Sequence, residues 1–346
     1  MVKRSRKRLS ASAGKPHIRK AKAGRLTMQD LGRIAGVSPM TVSRALRNSA
    51  IVNSETRARI FDLARKHGYR LNLPARNLRL NRSHTIAVVI EMDPSPERPM
   101  TDPYPLTLLG GISQELTSSG YNLLLTTLHA LDTNTINAAE GLILLGQGAD
   151  DIAVHAIERL GIPWVVWGAL RARQHYTVVG TDNEHGGAVA AARLLALGRR
   201  RLVFIGDLRH AEVAARHRGF AEVIKSTHDA ALMIRASPFS FHGGAHVAAE
   251  LLKDGVAFDG VFACSDPLAM GVIRTVIESG KRVPEDVSVI GYDDSPLAAT
   301  FVPPMTSVRQ DWRSGGNLLA RKVVALIEKK SVVSEVLPTS LIVRAT

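Results

Sequence analysis

"TMQDLGRIAGVSPMTVSRAL", residues 27–46, decides how the chain begins to fold. Thr27 followed by Asp30 has the Ser/Thr-x-x-Asp/Glu spacing of a capping box, in which each side chain satisfies the other residue's backbone N–H. Leu31, Ile34 and Ala35 then recur at helical spacing, and Gly36-Val37 interrupts the pattern after about two turns. Ser38 is placed to cap a second helix, with Pro39 at its first position, where a missing N–H costs nothing. Val42, Ala45 and Leu46 form the buried stripe of that helix, which leaves Thr41, Ser43, Arg44 and Arg47 elsewhere on its surface. Asn53 or Ser54 caps a third helix, whose apolar side includes Ile60, Leu63 and Ala64. Two short helices across a tight glycine turn, braced by a third, predict a helix-turn-helix.

The surroundings of this stretch are basic. Residues 1–80 hold 20 Lys and Arg against 3 Asp and Glu, a net of +17, and the rest of the 346-residue chain nets −3. A basic module joined to a near-neutral body is the electrostatic footprint of a nucleic-acid binder. Residues 1–25, rich in Lys, Arg, Ala and Gly, are expected to form a basic extension without fixed structure.

Other classes are excluded by composition. No run of about 18 apolar residues occurs, so no membrane span is expected. The basic start is not followed by an apolar signal core and a small-residue cleavage site, so a cytoplasmic location is expected. Cys264 is the sole cysteine, which rules out an intrachain disulfide.

Past "LNLPARNLRLNRSH" (71–84), which reads as a linker with some helical tendency, the pattern becomes α/β. Val/Ile/Leu-rich strand candidates lie at 85–90, 121–127, 141–146, 163–168, 201–206, 260–265 and 287–294. Helical segments such as 186–198 and 266–280 alternate with them. Near-continuous apolar strands alternating with helices imply parallel sheets covered on both faces. About 260 residues is long for one open sheet, so two similar α/β lobes are expected.

"TMQDLGRIAGVSPMTVSRAL", "YRLNLPARNL", "RHRGF", "SDPLAMG" and "DVSVIGYDDSPLA" followed by "PPMTSVRQD" together resemble the lactose/galactose-repressor family of bacterial transcription factors, from Thr27 to about Leu341. The resemblance implies an all-α helix-turn-helix headpiece at 26–71 and a hinge helix or linker at 72–84. It further implies a two-lobed, periplasmic-binding-protein-like α/β sensor at 85–346 that dimerises and binds a small effector. Two departures stand out. Only about a dozen residues join "YNLLLTT" to "GLILLG", where the family has a full helix, so this crossover is minimal or irregular. The chain also ends soon after "LPTSLIVRAT", which points to a dimer rather than a tetramer.

By resemblance, the second headpiece helix enters the major groove with Pro39, Met40 and Arg44. Arg44 can donate two hydrogen bonds to guanine, worth about 1–3 kcal/mol of discrimination. Met40 has no hydrogen-bonding group for a base edge, and its partner is expected to be a thymine methyl or a neighbouring apolar surface. Ser38, Thr41, Ser43 and Asn53 suit phosphates, which set register rather than sequence. Leu78 is, by resemblance, a wedge between bases at the centre of the operator, with the small Ala75 permitting close approach. Two headpieces on a dimer require an approximately palindromic double-stranded operator.

A sugar site needs planar hydrogen-bonding groups and an apolar face. The resemblance assigns these to Asp293, Arg216, Gln310, Trp312 and Phe239, with Tyr104 on the first lobe and Asp266 at a strand-to-helix junction. An acidic, basic and aromatic set favours a neutral polyhydroxylated effector, a mono- or disaccharide. No nucleophile elbow, P-loop or H-E-x-x-H is present, so neither enzymatic activity nor a cofactor is expected. His242 and His246 in "HGGAH" have metal-ligand spacing, but two glycines and the lack of an acidic neighbour make them ordinary surface histidines. The alternative reading is a periplasmic-type sugar-binding protein without DNA function. The sensor lobes would look alike, and the helix-turn-helix argues against it.

Overall fold

The computed structural model describes residues 26–69, 83–92, 95–96, 100–131, 136–225, 232–236 and 238–346. The chain divides into two compact units, Met1–Leu80 and Asn81–Thr346.

The first unit holds three helices, α1 (Met28–Ala35), α2 (Pro39–Leu46) and α3 (Ser54–Lys66). The Thr27/Asp30 capping box forms in both directions, and Gly36 ends α1 in the left-handed region at φ 66°. Ser38 caps α2 by accepting from Thr41 N, with Pro39 in the first turn. Asn53, not Ser54, caps α3, its Oδ1 accepting from Thr56 N at 2.7 Å. Leu31, Ala35, Val42, Ala45, Val52, Ile60 and Ala64 close the small core, and Leu46 and Leu63 pack at its edge. Ile34 keeps the helical spacing yet is 43 % exposed, because a two-turn helix buries only the strip facing its two neighbours.

The second unit contains two six-stranded sheets. The first comprises β1 (Thr85–Ile90), β2 (Asn122–Thr127), β3 (Gly141–Leu145), β4 (Trp164–Trp167), β5 (Thr177–Thr181) and β11 (Glu335–Leu337). Its order is β11-β5-β4-β3-β1-β2, with every pair parallel. The second comprises β6 (Leu202–Ile205), β7 (Leu232–Ile234), β8 (Gly260–Ala263), β9 (Ser288–Asp293), β10 (Thr306–Arg309) and β12 (Ser340–Ile342). Its order is β12-β10-β9-β8-β6-β7, parallel except for β12 against β10. Read from the other edge, both lobes follow one winding, β2-β1-β3-β4-β5 and β7-β6-β8-β9-β10, as expected of two similar lobes.

Burial on both faces explains the unbroken apolar strands. Along β1, Ile86, Val88 and Ile90 join one core with Leu108, Ile112 and Leu116 of α4 (Pro103–Ser118) and Leu319 and Val323 of α11 (Trp312–Ile327). Ala87 and Val89 join another with Ala153, Val154 and Ile157 of α5 (Ile152–Glu158). Strands β5, β7, β10 and β11 were not among the sequence candidates, since runs of three to five residues carry little periodicity. Between β2 and β3, the described residues form only 3₁₀ turns at Leu128–Ala130 and Ile136–Ala138, so this crossover is irregular rather than α-helical there.

The chain passes between lobes three times: after β5 into α6 (Asn183–Ala196), after β10 into α11, and from β11 to β12. These crossings are tied together. Thr181 Oγ1 donates to Gln310 Oε1 at 2.6 Å, Asp182 N donates to Leu337 O at 2.9 Å, and Thr339 Oγ1 donates to Asp182 O at 3.1 Å. Among the described residues no helix is long and apolar enough to cross a membrane.

Candidate effector site and nucleic-acid interface

In an open parallel sheet, ligands bind beyond the carboxyl ends of the strands, where the winding reverses. Here the reversal falls between β1 and β3 in one lobe and between β6 and β8 in the other. A single cavity is lined by both sets of strand ends: Glu91 after β1, Gly146 to Gly148 after β3, and Trp167 closing β4. From the second lobe come His210 and Glu212 after β6, Cys264 and Ser265 after β8, Asp293 closing β9, and Gln310 after β10.

Arg216 lies on α7 (Ala211–Ile224), only 8 % exposed. Its Nε donates to Asn183 Oδ1 at 2.9 Å and its Nη1 to the Cys264 carbonyl at 2.6 Å. The guanidinium stands 3.6 Å above the Tyr292 ring. That ring is the outer member of a fully buried aromatic series with Phe262, Phe220 and Phe204. Close helix packing sets the height of α7: a Cβ on Gly187 would meet Arg216 O at 1.9 Å, and one on Gly219 would meet Glu184 O at 1.8 Å.

Asp293 is held in an uncommon conformation. It and Asp294 both have positive φ, 117° and 51°, costly for residues with a Cβ. Four side chains hold the turn. Asp294 accepts from Arg309 at 2.7 Å and from Arg344 at 2.6 Å; Asp294 N donates to Ser307 Oγ; Ser295 N donates to Asp266 Oδ2 at 2.7 Å. Gln310 Nε2 donates to Asp293 Oδ1 at 2.7 Å, which joins this carboxylate to the Thr181 crossing. Burial drives the Asp293 carboxyl well above its ordinary range, against the pull of the Arg216 charge. Burial likewise raises Glu212.

Five of the seven effector residues expected from sequence converge on the cavity: Tyr104, Arg216, Phe239, Asp293 and Gln310. Asp266 and Trp312 do not line it. Asp266 is fully buried, with one oxygen accepting from Ser295 N and the other from Ser307 Oγ at 2.6 Å, so its carboxylate is consumed in bracing the Asp293 turn. Trp312 packs behind the wall, its ring centroid 5.7 Å from that of Tyr104, and it supports that side chain rather than reaching the cleft. Sequence reasoning missed Glu91, Asp102 and Glu212. Glu212 carried a usable signal, since it precedes Arg216 by four residues and shares its helix face. Ser265 stood beside Asp266 at the junction. Its buried Oγ makes no hydrogen bond among the described residues, and the residue lines the cavity.

In the headpiece, Met40 (57 % exposed) and the exposed Arg44 stand four residues apart on one face of α2, with Pro39 beside them. Ser38 Oγ is engaged with Thr41 N and lies 3.0 Å from Thr41 Oγ1. Ser43 is half-buried on the same helix, and Asn53 is exposed at the start of α3. Ala75 and Leu78 lie outside the described residues.

A helix-turn-helix unit and a two-sheet unit with a cleft at its strand ends together define a DNA-binding regulator built on a ligand-binding fold. The family model for bacterial regulatory proteins of the lacI family matches residues 27–72, and that for a periplasmic binding protein-like domain matches residues 191–346. The HTH-type transcriptional regulator GntR of Pseudomonas aeruginosa is 32% identical over 320 residues, covering 89% of this chain and 91% of the relative. The chain belongs to the lacI family and is a DNA-binding transcriptional regulator. A transcriptional regulator CelR–cellobiose complex shares 29% identity at a TM-score of 0.70, covering 93% of this chain and 99% of that one. The Lac repressor dimer bound to operator and the anti-inducer ONPF shares the fold at a TM-score of 0.84 and 23% identity, over 93% of this chain and 99% of the other. Headpiece and family set aside the reading as a sugar-binding protein without DNA function.

Proposed function

We propose that this chain is a cytoplasmic, dimeric repressor of a carbohydrate-utilisation operon whose hold on a near-palindromic operator is set by a neutral mono- or disaccharide in the cleft. One observation carries the reading: an acidic, a basic, an amide and two aromatic side chains from both lobes border one cavity. Carboxylate, guanidinium and carboxamide are the planar groups that pair with sugar hydroxyls, and Phe239 and Tyr104 offer apolar faces to a ring. Glu91, Asp102, Glu212 and Asp293 around the same cavity disfavour an anionic effector. The reading assigns no reaction to these groups; they bind. On the DNA side, Arg44 reads guanine, Met40 a thymine methyl, and Ser38, Thr41, Ser43 and Asn53 the phosphates. Ala75 and Leu78 enter the minor groove at the operator centre.

A sugar that prefers one relative orientation of the lobes shifts the population toward it, and operator and effector then influence each other by the same factor. The cellobiose and operator complexes of the relatives support this reading by analogy. The test is a thermal-shift screen of neutral mono- and disaccharides on the intact protein, repeated with Asp293→Ala and Arg216→Ala. A stabilisation that survives both substitutions overturns the site. DNA binding absent at low salt, where phosphate contacts are strongest, overturns the function.

A further inference from the structure

The two walls of the cavity are joined by a backbone hydrogen bond that does not belong to the crossovers: Asp150 N, from the first lobe, donates to Arg209 O, from the second, at 3.0 Å. The segments on both sides are built for this contact in different ways. On the first lobe, Gly146, Gly148, Asp150 and Asp151 all have positive φ, at 91°, 77°, 54° and 59°. Glycine occupies that region freely, whereas each aspartate pays for it in conformational energy. Two successive non-glycine residues in this state persist only where their surroundings hold them there. Asp151 is held by an ion pair with Arg171 at 2.8 Å.

On the second lobe the receiving turn is rigid. Asp207, 1 % exposed, accepts from Arg209 N at 3.1 Å, from Arg209 Nη2 at 2.7 Å and from Arg235 Nε at 3.1 Å, and these cations hold its carboxyl well below the usual range. The Arg209 carbonyl is therefore presented in a fixed place. The hydrogen bond to Asp207 is the main reason Arg209 is held in its charged form, and the Asp150 carboxylate across the joint adds a smaller attraction of the same sign. The loop supplies Gly146 to Gly148 to the cavity, and the turn supplies His210, with Glu212 following on α7, so a molecule in the cavity meets both halves of the joint.

We propose that the 146–151 loop and the 207–210 turn form a closure latch between the lobes, in which the left-handed Asp150–Asp151 pair is a stored cost that keeps the latch reversible. Latching requires Asp150 to hold φ near +54° so that its N–H meets Arg209 O. When the lobes part, the bond is lost and Asp150 relaxes, while Asp151 stays held by Arg171 of its own lobe. Residue 150 thereby tunes the balance between closed and open forms without touching the effector. The link from that balance to operator affinity rests on the function proposed above.

The protection factor of the Asp150 amide against hydrogen exchange, in the effector-free full-length protein, reads the latch directly. Asn tolerates the left-handed region and Val does not. Asp150→Asn is therefore expected to keep protection within about twofold of wild type, Asp150→Gly to equal or exceed it, and Asp150→Val to lose about tenfold or more. Asp150 is exposed, so equal thermal midpoints across the series exclude global unfolding as the cause. An unprotected amide in the wild type, or equal losses in the Val and Asn variants, overturns the latch. In parallel, operator affinity measured without effector is expected to differ at least threefold between the Val and Asn variants. Equal affinities despite a lost protection factor overturn the coupling. Absence of operator binding in the wild type counts against the proposed function and leaves the exchange result to judge the latch.

Discussion

The guanidinium carbon of Arg216 lies 3.6 Å from the centre of the Tyr292 ring, and the same side chain is fixed by Asn183 and by the Cys264 carbonyl. A planar cation on an aromatic face, with two directed bonds, leaves one edge to meet a ligand. The arrangement couples four separate stretches of sequence, α6, α7, the end of β8 and β9, into one recognition element.

Arg216→Lys keeps the charge and loses the fork. A point-like ammonium cannot serve Asn183, the Cys264 carbonyl and a ligand together. Isothermal titration with the sugar found by the thermal-shift screen is expected to show a loss of about 10–100-fold, on the order of 1.4–3 kcal/mol. Unchanged affinity would remove Arg216 from the site.

Asp266 makes stability depend on pH. Burial raises its carboxyl to about 7, well above the ordinary carboxylate range, against the Ser307 and Ser295 hydrogen bonds. Its folded value is thus raised, so the folded state binds more protons than the unfolded one between about pH 4 and 7, and this group's contribution falls as pH rises through that window. Asp266→Asn preserves an acceptor for Ser295 N and removes the ionisation. The thermal midpoint of the variant is expected to decline less between pH 5 and 7.5 than that of the wild type. Some slope remains, because the raised Asp293 carboxyl acts with the same sign. Identical slopes would show that Asp266 does not titrate in this range.

Gly187→Ala is expected to destabilise by about 2–3 kcal/mol, the range for overpacking a close-packed contact. Its Cβ meets a backbone oxygen, Arg216 O, at 1.9 Å, so relief requires α6 and α7 to move apart. Urea unfolding measures the loss, and a variant as stable as wild type would contradict the packing.

Arg44→Ala and Met40→Ala separate hydrogen-bond reading from apolar contact. Fluorescence anisotropy on the operator is expected to show a loss of about 1–3 kcal/mol for Arg44→Ala, concentrated at one G·C pair. Met40→Ala is expected to cost less and to weaken preference at a T·A pair. Equal losses on every sequence would instead assign both side chains to phosphates.

Much of the molecule was legible in local sequence. The Thr27/Asp30 box, the Ser38 cap and Pro39 located the headpiece helices, because caps are formed within a turn of chain. Unbroken runs such as "TIAVVI" marked doubly covered parallel strands. Arg216 and Asp293 were found by their motifs. The short strands β7, β10 and β11 were not, since they are strands by virtue of the neighbours they pair with.

Local chemistry in the chain settled the starts of the first two headpiece helices and the two-lobed α/β class. The roles of neighbouring residues depended on contacts between parts of the chain remote in sequence. Asp266 turned from the cleft to Ser295 and Ser307, 29 and 41 residues away, while Ser265 beside it faced the cavity. A carboxylate taken out of water goes to whichever donors are nearest in space, and those donors, Ser295 in the turn after β9 and Ser307 in β10, are brought to it only by folding.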